Sequence, residues 1–209
     1  MKKNTAFFFL VFTSFMVLMS VFRVPHSAAQ TTEAEVLVRI ETPLGNIDLA
    51  IDTKRAPVTS ANFLKYVDGL FYTNGRFHRA TRPDNYKPTR PNRPPMELIQ
   101  GGINPDRDKE KFPPIPLERT SVTGLKHTAG VVSMARGGPD TATSDFFILL
   151  DDQPSLDAGG MRFDDGQGAA AFGRVVAGLD VVRKIQQQPV KEQALNPPVT
   201  IQKISRIGR

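Results

Sequence analysis

The chain has 209 residues, 40% of them hydrophobic, with no cysteine and a formal net charge of +6. The lack of cysteine excludes disulfides, thiol chemistry, Cys-ligated metal and haem attachment. Half of the charge excess sits in the first 29 residues, which carry Lys2, Lys3 and Arg23 and no acid; the +3 left on the other 180 residues is too mild for nucleic acid, which needs a clustered basic face.

At the N-terminus, Lys2 and Lys3 precede an apolar run from Ala6 to Phe22, interrupted by Thr13, Ser14 and Ser20, and Ser27, Ala28 and Ala29 follow. A basic start, an apolar middle and a small-x-small end are the three parts of a secretory signal, with cleavage expected before Gln30. The alternative is an uncleaved anchor, for which the run is at the short edge of the ~20 residues a span requires. The expected product is exported, with the periplasm as its destination and no stable membrane insertion after cleavage. Residues 30–35 read as a polar tether. The region 36–209 reads as one domain, long enough to bury a core.

Along that domain, Val36, Val38 and Ile40 alternate with other positions, as do Ile47, Leu49 and Ile51 after Pro43-Leu44-Gly45-Asn46. Two half-buried strands around a tight turn make a hairpin. Pro57 opens a run without Gly or Pro that ends at Asp68-Gly69, which predicts a helix over about 57–68 with Phe63, Leu64 and Val67 on one face. Short apolar runs between turns follow at Phe77–Arg79, Leu98–Gln100, Gly130–Ala135, Phe146–Leu150 and Ala170–Val176. Leu179 to Gln188 reads as a second helix stopped by Pro189, and Val199 to Ile207 as a last strand. This is an all-β plan with two helices, a barrel or a sandwich. The stretch 82–95, with five prolines, cannot be a central strand and reads as an extended loop, either solvated or flanking a site.

Several segments stand in a distinctive order: Phe77-His78-Arg79; Ile99-Gln100-Gly101-Gly102; Lys126-His127-Thr128 running into Val132-Ser133-Met134-Ala135-Arg136; and Ser144-Asp145-Phe146-Phe147-Ile148, followed by Ser155-Leu156-Asp157 and Phe172-Gly173-Arg174-Val175. Together they make the chain resemble cyclophilin-type peptidyl-prolyl cis/trans isomerases over roughly 36–207. That resemblance implies a mainly β fold, a closed eight-stranded antiparallel β-barrel capped by two α-helices. It also implies an enzyme that needs no cofactor and no metal and acts on unfolded or proline-containing polypeptides; a monomer is expected. A non-catalytic proline-peptide-binding module or chaperone on the same barrel is the rival reading.

An X-Pro bond resists rotation because resonance gives it double-bond character, with a barrier of ~18–20 kcal/mol. When the amide twists, the proline nitrogen gains a lone pair, and a donor aimed there binds the transition state better than the planar ground state. By resemblance the donor is Arg79, which stays charged and presents a rigid fork. Resemblance also assigns Phe77, His78, Leu98, Gln100, Ala135, Arg136, Phe147 and Leu156 to substrate binding. Phe147, Leu98 and Leu156 would hold the proline ring, Gln100 the substrate carbonyl, and the backbone of Ala135 and Arg136 the extended peptide. Phe146 and Phe147 must point to opposite faces of a strand, so only one can line a pocket.

The sequence departs from the family pattern at Glu97 (usually Phe), Asp145 (usually Gln), Ser155 (often Trp) and near Ala169 (a pocket His). Glu97 and Asp145 would matter most if either paired with Arg79; the alternative is that both are peripheral. No G-x-S-x-G elbow surrounds Ser133, no Walker or G-x-G-x-x-G motif occurs, and His78 and His127 are too scattered for a metal site. Asp164-Asp165-Gly166 lacks the spacing of a calcium loop and reads as an acidic turn.

Overall fold

The computed structural model describes residues 35–87 and 93–208. The expected leader, residues 30–34 of the tether and residues 88–92 of the proline-rich stretch lie outside the described residues. Glu35, expected in the tether, instead opens the first strand opposite Asp52.

Strands β1 (Glu35–Thr42) and β2 (Gly45–Asp52) form the predicted hairpin, with Thr42 opposite Gly45. The Thr42 hydroxyl closes the turn by donating to the Gly45 carbonyl at 2.8 Å. Gly45 takes φ +126°, and a Cβ there would come within 2.8 Å of Val181, so the turn needs glycine for both conformation and space. Val38, Ile40, Ile47, Leu49 and Ile51 are fully buried, the inward set of the alternation.

Helix α1 (Pro57–Asp68) has the predicted bounds. Its Ala56 cap supplies no side-chain acceptor; the Glu118 carboxylate does so instead, accepting from the backbone N–H of Val58 at 3.0 Å and of Thr59 at 2.7 Å. An anion at a helix N-terminus satisfies orphan donors and opposes the macrodipole favourably.

Strands β3 (Gly75–Thr81), β4 (Leu98–Gly102), β5 (Val131–Met134), β6 (Phe146–Leu149) and β7 (Ala170–Ala177) fall on the five predicted runs. A one-turn helix α2 (Thr120–Thr123) precedes β5, and α3 (Leu179–Gln186) follows β7, two residues shorter than its expected end. The end of the chain differs more. The expected single strand from Val199 is a strand pair, β8 (Val190–Lys191) with β9 (Ala194–Ile201), then β10 (Lys203–Arg206) after a break at Gln202. Pro197 and Pro198 hid the first half of this segment, because neither has an N–H to give a ladder.

All ten strands are antiparallel neighbours in the order β10-β1-β2-β7-β5-β6-β4-β3-β9-β8. β9 pairs with β3 and β10 pairs with β1, and only Gln202 separates them. The last segment therefore joins the two sides of the order. Taken as one bent strand, with the two-residue β8 set aside, it gives the eight-stranded barrel the resemblance implies. The interior holds Phe63, Tyr66, Tyr72, Phe77, Phe146 and Phe172 with the aliphatic residues of the strands, and Val181, Val182 and Ile185 of α3 belong to the same core. Rings of Phe63, Tyr72 and Phe146 meet at centroid distances of 5.5–5.6 Å, the tilted and edge-on contacts aromatic quadrupoles prefer. Among the described residues no helix is long and apolar enough to cross a membrane.

Candidate active site

The site lies on the outer face of β4, β6 and β5. Along β6, Phe146 and Ile148 belong to the interior core, while Phe147 and Leu149 belong to a second, smaller apolar cluster with Met96, Leu98, Leu156 and Ala169. The register sets Gln100 of β4 and Ser133 of β5 on either side of Phe147. The outward residues of three strands thus form one row, and the residues between them fill the barrel.

Arg79 reaches this face through an irregularity. Residues i and i+2 of a regular strand share a face, so Arg79 should follow Phe77 into the interior. Against β4, however, Phe77 pairs with Gly101 and Arg79 with Gln100, which leaves His78 as an extra residue. This bulge turns the strand over between the two. Phe77 stays fully buried, edge-on to Phe146 at 5.9 Å, and Arg79 emerges in the groove. Gly101 is required beside it, since a Cβ there would come within 2.8 Å of the Phe77 ring.

Of the residues assigned by resemblance, the structure brings seven around one cavity of about 280 Å³: Arg79, Leu98, Gln100, Ala135, Arg136, Phe147 and Leu156. Two are elsewhere. Phe77 is interior core, and its place in the motif follows from the bulge. His78 stands near Asp145, Nε2 to Oδ2 3.8 Å, and does not line the cavity. Three lining residues were not anticipated: Met96, Arg162 and Phe163. Met96 takes the apolar role that Glu97 lacks, one residue along, because Glu97 faces the other way. Phe163 supplies an aromatic wall from the 158–168 segment, with the Arg136 guanidinium 3.7 Å from its ring centroid.

Arg79 Nε and Nη2 donate to Gln193 Oε1 at 3.0 and 2.7 Å, and Nη1 donates to Gln100 Oε1 at 3.1 Å. Both acceptors are neutral. Burial, and then the nearby charge of Arg162, push the Arg79 pKa below its ordinary value; an arginine nevertheless remains charged throughout the working range. Neither carboxylate expected to compete is a partner of Arg79. Glu97 Oε2 accepts from Gln186 Nε2 at 3.3 Å, and Asp145 lies beside His78. Gln193, from the tight β8–β9 turn, had no signal in the sequence, being 114 residues from the arginine it holds.

Behind Phe147, His127 stacks at 6.4 Å between centroids and 17° between planes. Its Nδ1 is 2.8 Å from Asp157 and its Nε2 2.9 Å from the Ser133 hydroxyl. A carboxylate can only accept, so Nδ1 carries the proton and Nε2 accepts from Ser133. Burial depresses the His127 pKa, against the opposing pull of Asp157. Ser133 is fully buried and His127 almost so. The serine–histidine–carboxylate line therefore has no access to substrate; it braces the pocket floor. The acidic turn is also accounted for by pairing: Arg93 meets Asp164 at 2.8 Å, and Arg136 forms a two-pronged bridge to Asp165 at 2.8 Å that draws the Asp165 carboxyl down to about 2.

Comparison with known proteins fits this geometry. The family model for cyclophilin type peptidyl-prolyl cis-trans isomerases matches residues 37–206. A peptidyl-prolyl cis-trans isomerase of Acinetobacter baylyi is 35% identical over 176 residues, 84% of this chain and 85% of that protein. Peptidyl-prolyl cis-trans isomerase A of Dickeya dadantii is 38% identical over 160 residues, 76% of this chain and 74% of that protein. Crystal structures of a Cryptosporidium parvum cyclophilin type peptidyl-prolyl cis-trans isomerase, one of them in the presence of the dipeptide Ala-Pro, superpose with a TM-score of 0.66 at 22% identity. The first covers 84% of this chain and 99% of its own.

Proposed function

This chain belongs to the cyclophilin-type peptidyl-prolyl cis-trans isomerase family, and from that premise we propose that its groove turns X-Pro bonds with Arg79 as the catalytic donor. The observation that carries the reading is the emergence of Arg79 from the bulge into the same cavity as Leu98, Phe147 and Leu156. The proline ring rests against those apolar walls and Met96. Gln100 serves both partners: its Oε1 fixes Arg79, and its amide N–H₂ is left to hold a substrate carbonyl. Three of the five guanidinium N–H donors are engaged by glutamine oxygens, which leaves two for the proline nitrogen as it pyramidalises. Because both glutamines are neutral, the charge reaching the substrate is undiminished. No bond to the substrate forms or breaks, and the step needs no metal or cofactor.

The substrates proposed are unfolded or proline-containing polypeptides that have been exported, with the enzyme working as a monomer in the periplasm. The basic start, the apolar run and Ser27-Ala28-Ala29 support export, and N-terminal sequencing of the protein from its host should find Gln30 first. Exchange spectroscopy on a proline peptide, without a coupled protease, tests the activity: cis/trans exchange should accelerate with the wild-type protein and fall sharply with Arg79→Ala.

A further inference from the structure

Two guanidiniums border the groove with no carboxylate partner among the described residues. One is Arg79, held by amide oxygens alone. The other is Arg162, half-buried in the 158–168 segment. Its Nη1 donates to the Tyr86 hydroxyl at 2.8 Å and to the Pro94 carbonyl at 3.4 Å, and its guanidinium carbon is 5.4 Å from the Tyr86 ring centroid. These neutral contacts fix the head group and leave Nε and Nη2 without a partner among the described residues.

The acids nearby are already committed. Asp165 is taken by Arg136 and Asp164 by Arg93. Asp157 is bonded to His127, and Asp151 accepts from the Glu97 N–H and from Gln153. Arg162 and Arg79 line the same cavity, and the charge of Arg162 adds to burial in lowering the Arg79 pKa. Two like charges beside a cavity walled by Met96, Leu98 and Phe163 interact more strongly than they would in open water. An anion entering the groove would relieve that repulsion.

We infer that the groove selects proline peptides bearing an acidic side chain immediately before or after the proline, with Arg162 as the specificity-determining residue. The inference rests on the groove being the proline-peptide site. It gives a role to the meeting of two loops: Tyr86 and Pro94 from the proline-rich stretch position an arginine from the 158–168 segment.

The test uses acetylated and amidated peptides, so that the only carboxylate is a side chain. Two series carry Glu, Gln or Lys immediately before or immediately after the proline. Dissociation constants from NMR titration and exchange rates are measured for wild type, Arg162→Gln and Arg162→Glu. An ion pair at a partly exposed site is worth up to about fivefold in affinity, so attraction for Glu and repulsion of Lys together should separate the two by roughly tenfold or more at low salt in at least one series. That gap should narrow in high salt, shrink in Arg162→Gln and reverse in Arg162→Glu. The Glu-to-Lys ratio is taken within each variant, so any change in overall activity cancels. Equal binding of Glu and Lys peptides to the wild type, or an unchanged order in Arg162→Glu, would overturn the inference; if Arg162→Glu does not fold, an unchanged ratio in Arg162→Gln does the same. Failure of the isomerase reading looks different: the Gln peptides would bind without any acceleration of exchange.

Discussion

Replacing Arg79 by alanine should cost roughly 10²–10³ in kcat/KM, or ~2.7–4 kcal/mol, the scale of losing one preorganised electrostatic donor. The structure explains why the loss should fall on turnover. Arg79 has two N–H groups left after its bonds to Gln100 and Gln193, and these meet a full lone pair only when the amide is twisted. Ground-state peptide binding is carried by the Phe147, Leu98 and Leu156 walls, which the substitution leaves in place. Arg79→Lys should recover less than about tenfold, because an ammonium restores the charge but cannot engage two glutamines and the substrate in one plane. Stability should change by no more than ~1 kcal/mol: the half-buried guanidinium loses solvation on folding, and removing it offsets much of the cost of the three lost hydrogen bonds. The assay is two-dimensional exchange NMR on a proline tetrapeptide, with thermal unfolding alongside. A folded Arg79→Ala protein with wild-type turnover would refute the assignment of this residue as the catalytic group.

Gln193 is a positioning residue on the same reasoning: Gln193→Ala should lower kcat by roughly ten- to a hundredfold with KM little changed, and Gln193→Glu should quench Arg79 by pairing with it and regain activity as the new carboxyl is protonated. A common loss of kcat and peptide affinity in both variants would point to a structural role instead. Glu97→Gln and Asp145→Asn should leave turnover unchanged, since neither carboxylate touches Arg79; a rise in either would show that it does so in solution. Phe147→Ala should abolish peptide binding while costing about 3 kcal/mol of stability, the low end of ~3–5 for a buried ring, because one side of the ring borders the cavity; loss of fold with no separable catalytic effect would place the ring wholly in the core. The His127 pKa is depressed in the fold, so below its ordinary 6.5 the unfolded chain binds a proton that the native state refuses. Stability should therefore fall as pH drops from about 6.5 toward the depressed folded value and level off below it; urea titrations of wild type and His127→Phe across that range should show the slope only in the wild type.

The parts of this fold that were legible in the sequence are those written in short-range periodicity. Alternation placed β1 and β2, short apolar runs between turns placed the five middle strands, and Pro57 and Gly69 bounded α1; the rule that adjacent strand residues face apart allowed only one of Phe146 and Phe147 into the groove, and the resemblance chose Phe147. What was not legible breaks the period or spans it. Taken as a regular strand, Phe77-His78-Arg79 puts its phenylalanine and arginine on one face, and only the one-residue register slip against Gly101 and Gln100 divides them. Pro197 and Pro198 concealed β9 by removing donors from it, and Glu118 caps a helix 60 residues away with no local capping motif to announce it. Glu97 misled for a related reason: matched by position alone, it occupies an aromatic's place in the pocket, yet the strand turns it toward Gln186 and lets Met96 and Phe163 furnish the apolar wall. The two loops, 82–95 and 158–168, follow the same logic. Neither carries a periodic pattern; their contacts at Tyr86–Arg162 and Pro94–Arg162 bring them together at one edge of the groove. On the proposed assignment, residues that alternate along the strands fix where the reacting amide lies, and the choice of neighbouring side chain falls to loops whose meeting no local pattern records.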